Sequence, residues 1–168
     1  DLICYIYEMG HRKIAYIHGA DSAVTQSRLS SFYRTCEELK LSVPVGYIRE
    51  AAYRNIQEAY GETCKLLDLR NPPTCIIYPD DFSCFGGIAA IQARGLKIPD
   101  DVSVAGYDGI GIARNFEPKL TTIIQDTKRL GAEAANKLIN LIEYPGTTIN
   151  EQIIVTGEVF AGSSVKKL

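Results

Sequence analysis

Arg28, Tyr53, Asp80 and Asp108 are residues of the types that hold a small polar molecule, and they are spread along a chain of 168 residues. Guanidinium and carboxylate groups fork onto adjacent hydroxyls in fixed geometry, and a ring such as Tyr53 or Phe82 covers the apolar face of a sugar or heterocycle. Each has a competing structural role. Arg28 could form a surface ion pair, Asp108 could serve a turn between Gly106 and Gly109, and Asp80 or Asp81 could cap a helix beginning near Ser83. The cap is assigned here to Asp81, which leaves Asp80 free for a ligand.

Catalysis fits these residues less well. Adjacent acids at a strand end rarely aim at one point, so Asp80 and Asp81 make a poor acid-base pair or Mg²⁺ site, and no phosphate loop accompanies them. There is no Gly-x-Ser-x-Gly elbow, and neither His11 nor His18 stands near a candidate nucleophile. The fragment Gly109-Ile110-Gly111 lacks the third glycine of a dinucleotide turn. The chain is therefore expected not to be an enzyme and to use no cofactor. Five cysteines, Cys4, Cys36, Cys64, Cys75 and Cys84, lie apart in apolar stretches with no Cys-x-x-Cys pair, so free thiols and no metal site are expected. A formal net charge of −2 without a basic run offers nothing to nucleic acid or anionic lipid. No apolar run could cross a bilayer, and the first ten residues carry acids where an export signal would carry basic groups, so a soluble protein with no membrane partner is expected.

The elements that would position these groups alternate between strand and helix. At the start Leu2, Ile3, Ile6 and Met9 recur at helical spacing up to Gly10, and a helix without a start signal suggests a piece of something longer. Residues 13–18 form a strand and 24–40 a helix with Arg28 in its first turns. A short strand at 45–49 precedes a helix capped by Asn55 with Glu58 three residues on. Continuous β-favouring residues at 74–78 indicate a strand buried on both faces, followed by a helix at 83–94. The stretch 98–109 holds the organising strand, 102–107, and ends at Asp108 between two glycines. A loop then leads to 119, an extended segment to 120–124, a helix to 128–143, strands to 152–156 and 158–161, and a frayed tail to 162–168. This alternation predicts an α/β fold, a parallel sheet sandwiched by helices, whose carboxyl edge gathers Asp21, Ser22 and Arg28 after the first strand, Arg49, Glu50 and Tyr53 after the second, Asp80 and Asp81 after the third and Asp108 after the fourth.

Four segments in register carry a resemblance. Gly10-His11-Arg12-Lys13-Ile14-Ala15-Tyr16-Ile17, Ser27-Arg28-Leu29-Ser30-Ser31-Phe32, the run from Gly95 through Ile98-Pro99-Asp100-Asp101-Val102 to Gly106-Tyr107-Asp108, and Leu120-Thr121-Thr122-Ile123-Ile124-Gln125 occur in that order. Together they resemble the effector-binding domain of lac-repressor-family bacterial transcription regulators, a periplasmic-binding-protein-like fold of two lobes. The resemblance implies that residues 1–161 are a partial sensor domain, mostly the second lobe, with 125–143 crossing to a first lobe absent from this chain. It also implies a helix-turn-helix head, likewise absent, through which alone operator DNA is bound, a homodimer, a cytoplasmic location and a small sugar-like effector.

By motif, Arg28 matches the arginine that grips the effector, Asp108 the acid closing the Gly-Tyr-Asp strand end, Asp80 an Ala-Asn-Asp position and Tyr53 a stacking aromatic. Two residues depart from the pattern: Gly109 replaces a second acid, and Pro79-Asp80 replaces Ala-Asn, which adds a negative charge suited to an amine or to a cation from elsewhere. The alternatives are an extracytoplasmic sugar receptor serving a transporter and, from another class, an enzyme using Asp80 and Asp81.

Overall fold

Strands β1 (Ile14–His18), β2 (Ile48–Glu50), β3 (Cys75–Ile77) and β4 (Ser103–Ala105) pair in parallel in a computed structural model that describes every residue except Phe116, Thr148 and Asn150. The spatial order is β2-β1-β3-β4. From β1 the chain moves outward to β2, then returns past β1 to β3, so the loops leaving β1 and β3 diverge. That divergence opens a crevice at the carboxyl edge.

Side-chain alternation along β1 explains why both faces need cover. Ile14 and Tyr16 face helices α1 (Leu2–Glu8) and α2 (Ala23–Glu38), through Leu2, Ile6, Phe32 and Cys36. Ala15 and Ile17 face α3 (Ile56–Leu67) and α4 (Asp81–Ala93), through Ala59, Leu66, Ile88 and Ile91. Each fully buried aliphatic side chain stabilises by about 1.5–3 kcal/mol relative to exposure. Close approach of α3 and α4 requires Gly86, where a Cβ would stand 2.1 Å from the Ile56 carbonyl oxygen. Cys36, Cys75 and Cys84 are buried among these apolar residues, and burial pushes all three thiols up.

Several boundaries differ from the sequence-based expectation for local reasons. The expected strand at 45–49 opens as a 3₁₀ turn (Val45–Tyr47), because Tyr47 is drawn into the core and its hydroxyl donates to the Asn71 carbonyl at 2.8 Å. The helix expected at 83–94 begins at Asp81. Within the expected loop before residue 119 lies a short helix, α5 (Gly111–Asn115), whose Ala113 is buried.

Beyond it, β5 (Thr122–Ile124) leads into α6 (Thr127–Glu143), and β6 (Glu158–Phe160) pairs antiparallel with β5. The expected strand at 152–156 does not form, and Ile153 and Ile154 are exposed there. Pairing with β5 starts only past Gly157, whose backbone passes so near Ile124 that a Cβ would lie 2.6 Å from its carbonyl oxygen. Helix α6 buries none of its residues, and Leu138 and Ile142 are 59% and 70% exposed.

The tail is ordered, contrary to the expectation of fraying. Val104 N–H donates to the Ser164 carbonyl at 3.0 Å, and the Ser164 hydroxyl donates to the Val104 carbonyl at 2.7 Å while accepting from Thr121 N–H at 2.8 Å. Residues 164–165 thus substitute for a neighbour along the free side of β4. His11, fully buried, fastens the same tail: Nε2–H donates to the Lys166 carbonyl at 3.1 Å and Nδ1 meets the Thr74 hydroxyl at 2.9 Å.

Ser164→Ala leaves the Thr121 N–H buried without an acceptor and is expected to lower stability by about 1–3 kcal/mol in urea denaturation. The exposed Lys167→Ala control should stay within about 0.5 kcal/mol. Equal stabilities would mean that the tail does not hold β4.

Candidate functional site

Polar side chains gather where β1 and β3 end. Ser22 caps α2 by accepting the Thr25 N–H at 3.1 Å, which sets the first turn of the helix against the end of β1 and brings Arg28 over the crevice. Arg28 is half-buried. Its guanidinium lies flat over the Tyr107 ring, 3.6 Å from the centroid, and Nη1 donates to the Pro79 carbonyl at 3.0 Å. The surface ion pair does not form: among the described residues no carboxylate pairs with Arg28.

Tyr53 closes the other side, with its centroid 6.0 Å from the Arg28 guanidinium carbon. Its ring lies on Gly19, where a Cβ would intrude to 2.1 Å, and its hydroxyl meets that of Thr25 at 3.0 Å. Phe82 packs edge-on to Phe85.

The two adjacent acids take roles opposite to those assigned from sequence. Asp80, not Asp81, caps α4: Oδ1 accepts the Ser83 N–H at 2.8 Å, and Oδ2 accepts the Ser83 hydroxyl at 2.9 Å and the Arg54 N–H at 2.8 Å. With its residue 2% exposed, Asp80 braces the crevice from behind. Asp81 is fully buried, its Oδ1 accepting from the Thr122 hydroxyl at 2.7 Å and its Oδ2 from the Ile110 N–H at 2.8 Å. Sequence placed the cap one residue late because both acids precede the helix, and only backbone direction decides which one reaches N3. Since the carboxylates address different partners, they do not form an acid-base pair.

Asp108 stands where β4 turns. Its backbone has φ 106, its N–H donates to the Ile123 carbonyl at 3.0 Å, and its Oδ1 accepts from Gln125 Nε2 at 2.6 Å. Burial raises its carboxyl above the ordinary value, an effect opposed by the Gln125 hydrogen bond and by the Arg28 and Arg54 charges. Burial also raises Asp81 to about 6. Tyr107, Gln125 and Arg54 were not singled out from sequence. A signal existed for Tyr107, adjacent to Asp108, and none for the other two.

Arg28 and Tyr107 also edge a cavity of about 430 Å³ that runs between α1, α2 and the sheet, past Phe32, Ile77 and Ile123. Asp80, Asp108 and Tyr53 lie outside its lining. Arginine flattened on one ring and flanked by another, opposite a half-buried acid, can hydrogen-bond hydroxyls and cover an apolar face. Among the described residues no three metal-ligating side chains gather.

Known proteins share this architecture. The profile of the periplasmic binding protein-like domain matches residues 3–165. The HTH-type transcriptional repressor PurR of Histophilus somni is 36% identical over 165 residues, which are 98% of this chain and 49% of that protein. A regulatory protein of the LacI family from Chloroflexus aggregans superposes with a TM-score of 0.87 at 26% identity, over 96% of this chain and 58% of that one. A LacI-family transcriptional regulator from Enterococcus faecium, solved with bound ribose, shares the fold at a TM-score of 0.86 and 24% identity, over 99% of this chain and 62% of that one. The chain spans about half the length of the curated relatives it matches.

The buried Asp81 carboxyl predicts a pH signature. Folding favours its protonated form, so this contribution to stability is present below about pH 4 and is lost as pH rises through about 6. Between about pH 4 and pH 7 the wild type should lose on the order of 2 kcal/mol relative to Asp81→Asn. Parallel pH profiles of the two in chemical denaturation would contradict the assignment.

Proposed function

We infer the function from one premise: this chain belongs to the periplasmic binding protein-like domain family. We propose that it is the effector-sensing portion of a transcriptional repressor of the LacI type. A small, sugar-like molecule is held by Arg28 and Asp108, covered by Tyr53, with Asp80 bracing the wall. Operator DNA is bound by a helix-turn-helix head outside this chain, in a cytoplasmic homodimer. The names of the relatives support a repressor over a transporter's solute receptor or an enzyme. The ribose held by the Enterococcus faecium protein supports a sugar-like guest.

The observation that carries this reading is the setting of Arg28. A guanidinium fixed by a carbonyl and an aromatic face, facing an acid 80 residues further along the chain, is arranged before any guest arrives. Its acid partner also connects the crevice to the rest of the molecule. Asp108 is hydrogen-bonded to Gln125, one residue past β5, and α6 begins two residues later. A guest that competes for Asp108 biases the exit of β5, and through it the arrangement of α6 and what it contacts. Effector and DNA are then coupled as far as their affinities differ between the two arrangements.

Helix α6 belongs to this proposal. Residues 125–143 cross to a first lobe beyond this chain, and the exposed stripe of Leu130, Leu138 and Ile142 packs there. The DNA-binding head and the first lobe complete the protein.

Arg28→Ala in the full-length protein should abolish the thermal shift and the change in DNA affinity caused by the effector, identified by screening sugars, sugar phosphates, amines and nucleobases. The unliganded melting temperature should hardly move. An unchanged effector response would remove the site. Separately, Leu138→Asp with Ile142→Asp should destabilise full-length protein by about 2 kcal/mol or more. An unchanged melting temperature there would mean that α6 packs on nothing.

A further inference from the structure

Thr25 lies in the first turn of α2, three residues before Arg28, and is 1% exposed. Residues three apart share one side of a helix, so the half-buried Tyr53 meets Thr25 with its hydroxyl and flanks Arg28 with its ring. Three oxygens surround the Thr25 hydroxyl: the Ala20 carbonyl at 2.6 Å, Tyr53 Oη at 3.0 Å and Ser22 Oγ at 3.0 Å.

Protons decide how these bonds run. A threonine hydroxyl has one proton to give and two lone pairs to receive with. Oxygens 2.6 Å apart need a proton between them, and a carbonyl has none, so the Thr25 proton goes to Ala20. Thr25 can then only accept from Tyr53, which makes the Tyr53 hydroxyl the donor in that bond. Ser22 Oγ, which accepts the Thr25 N–H at 3.1 Å, gives its own proton to the second lone pair. The Thr25 oxygen is thereby saturated, and the Tyr53 proton is spent inside the protein. Packing on Gly19 fixes the plane of the ring, and the bond to Thr25 fixes how far it reaches across the crevice. Tyr53 keeps for a guest its ring face and an oxygen lone pair, while donation falls to Arg28, which gives one N–H to the Pro79 carbonyl and has others to offer.

We infer that Thr25 is a positioning residue for the effector site: it takes the proton of Tyr53, holds the ring closed beside Arg28, and leaves Tyr53 able to cover a guest or accept from it but not to donate to it. The side of the guest against Tyr53 therefore presents C–H groups or a hydroxyl that donates. This rests on the sensor reading above, in which Tyr53 covers the guest, and says how that wall is set.

The tether is read first without a guest. In protein labelled at tyrosine Cζ and dissolved in mixed H₂O and D₂O, the Tyr53 hydroxyl should exchange slowly enough to split its Cζ resonance. Thr25→Val, which keeps the shape and removes the hydroxyl, should collapse the splitting, and Thr25→Ser should keep it. Binding is read next, by calorimetric titration of the full-length protein with ribose and with glucose. Thr25→Val and Tyr53→Phe should each weaken the tighter-binding sugar roughly fivefold, and the double variant should bind no more weakly than either single one. Thr25→Ser should bind as the wild type does. Tyr53→Phe, which leaves the Thr25 bond to Ala20 alone, gives the same reading should Thr25→Val fold poorly. A Tyr53 hydroxyl that exchanges freely in the wild type, or single losses that multiply in the double variant, overturns the inference. If Arg28→Ala abolishes sugar binding while Thr25→Val leaves it unchanged, only the role of Thr25 fails. If binding survives Arg28→Ala, or neither sugar binds at millimolar concentration, the sensor site fails with it.

Discussion

A buried carboxylate fastens together the pieces on which the crevice depends. Asp81 opens α4, yet its oxygens reach sideways to the Ile110 N–H beyond β4 and to the Thr122 hydroxyl on β5. Its own N–H donates to the Tyr107 carbonyl at 2.9 Å. Three segments distant in sequence, α4, residues 107–110 and β5, therefore share one residue. Room for it exists because Gly106 has no side chain, since a Cβ there would stand 2.2 Å from the Asp81 carboxylate. Desolvating a carboxylate is costly, and these two donors offset part of that cost. What the arrangement secures is the position of Tyr107 and Asp108, and through Tyr107 the plane against which Arg28 lies.

The same turn ties the end of β4 to the exit of β5. Asp108 is mounted on the backbone of β5 by its N–H and on Gln125 by its side chain, at a backbone angle costing on the order of 1–3 kcal/mol for a non-glycine residue. Its hydrogen bonds to the Ile123 carbonyl and from Gln125 sustain that geometry. A turn held this way has few alternatives open to it, so the position of Asp108 and the path of the chain between β5 and α6 are set together. The path runs through hydrogen bonds rather than through the core, which leaves the two packed faces of the sheet undisturbed.

Helix α6 contrasts with the other long helices. Those bury a face against the sheet, whereas its 17 residues bury none. Isolated helices of this length are marginal in water, and most helical stability in proteins comes from a packed face. An i,i+4 contact between Arg129 and Glu133 at 3.8 Å adds only a few tenths of a kcal/mol. Its amphipathic stripe is therefore left facing solvent, Leu138 and Ile142 most of all.

Sequence by itself determined the alternation of strands and helices, the parallel sheet and the edge at which Arg28, Tyr53, Asp80 and Asp108 collect, because hydrophobic period and strand-end chemistry are local. The Asn55 cap was legible for the same reason, since one side chain reaches a backbone N–H three residues away. Tertiary structure alone decided which acid caps α4, that the tail completes the side of β4, that 152–156 has no strand partner, and that the Arg54 N–H meets the Asp80 carboxylate. Each of these depends on which backbone groups lie nearby once the chain has packed, and neighbours 26 to 60 residues away leave no periodic trace in the residues themselves.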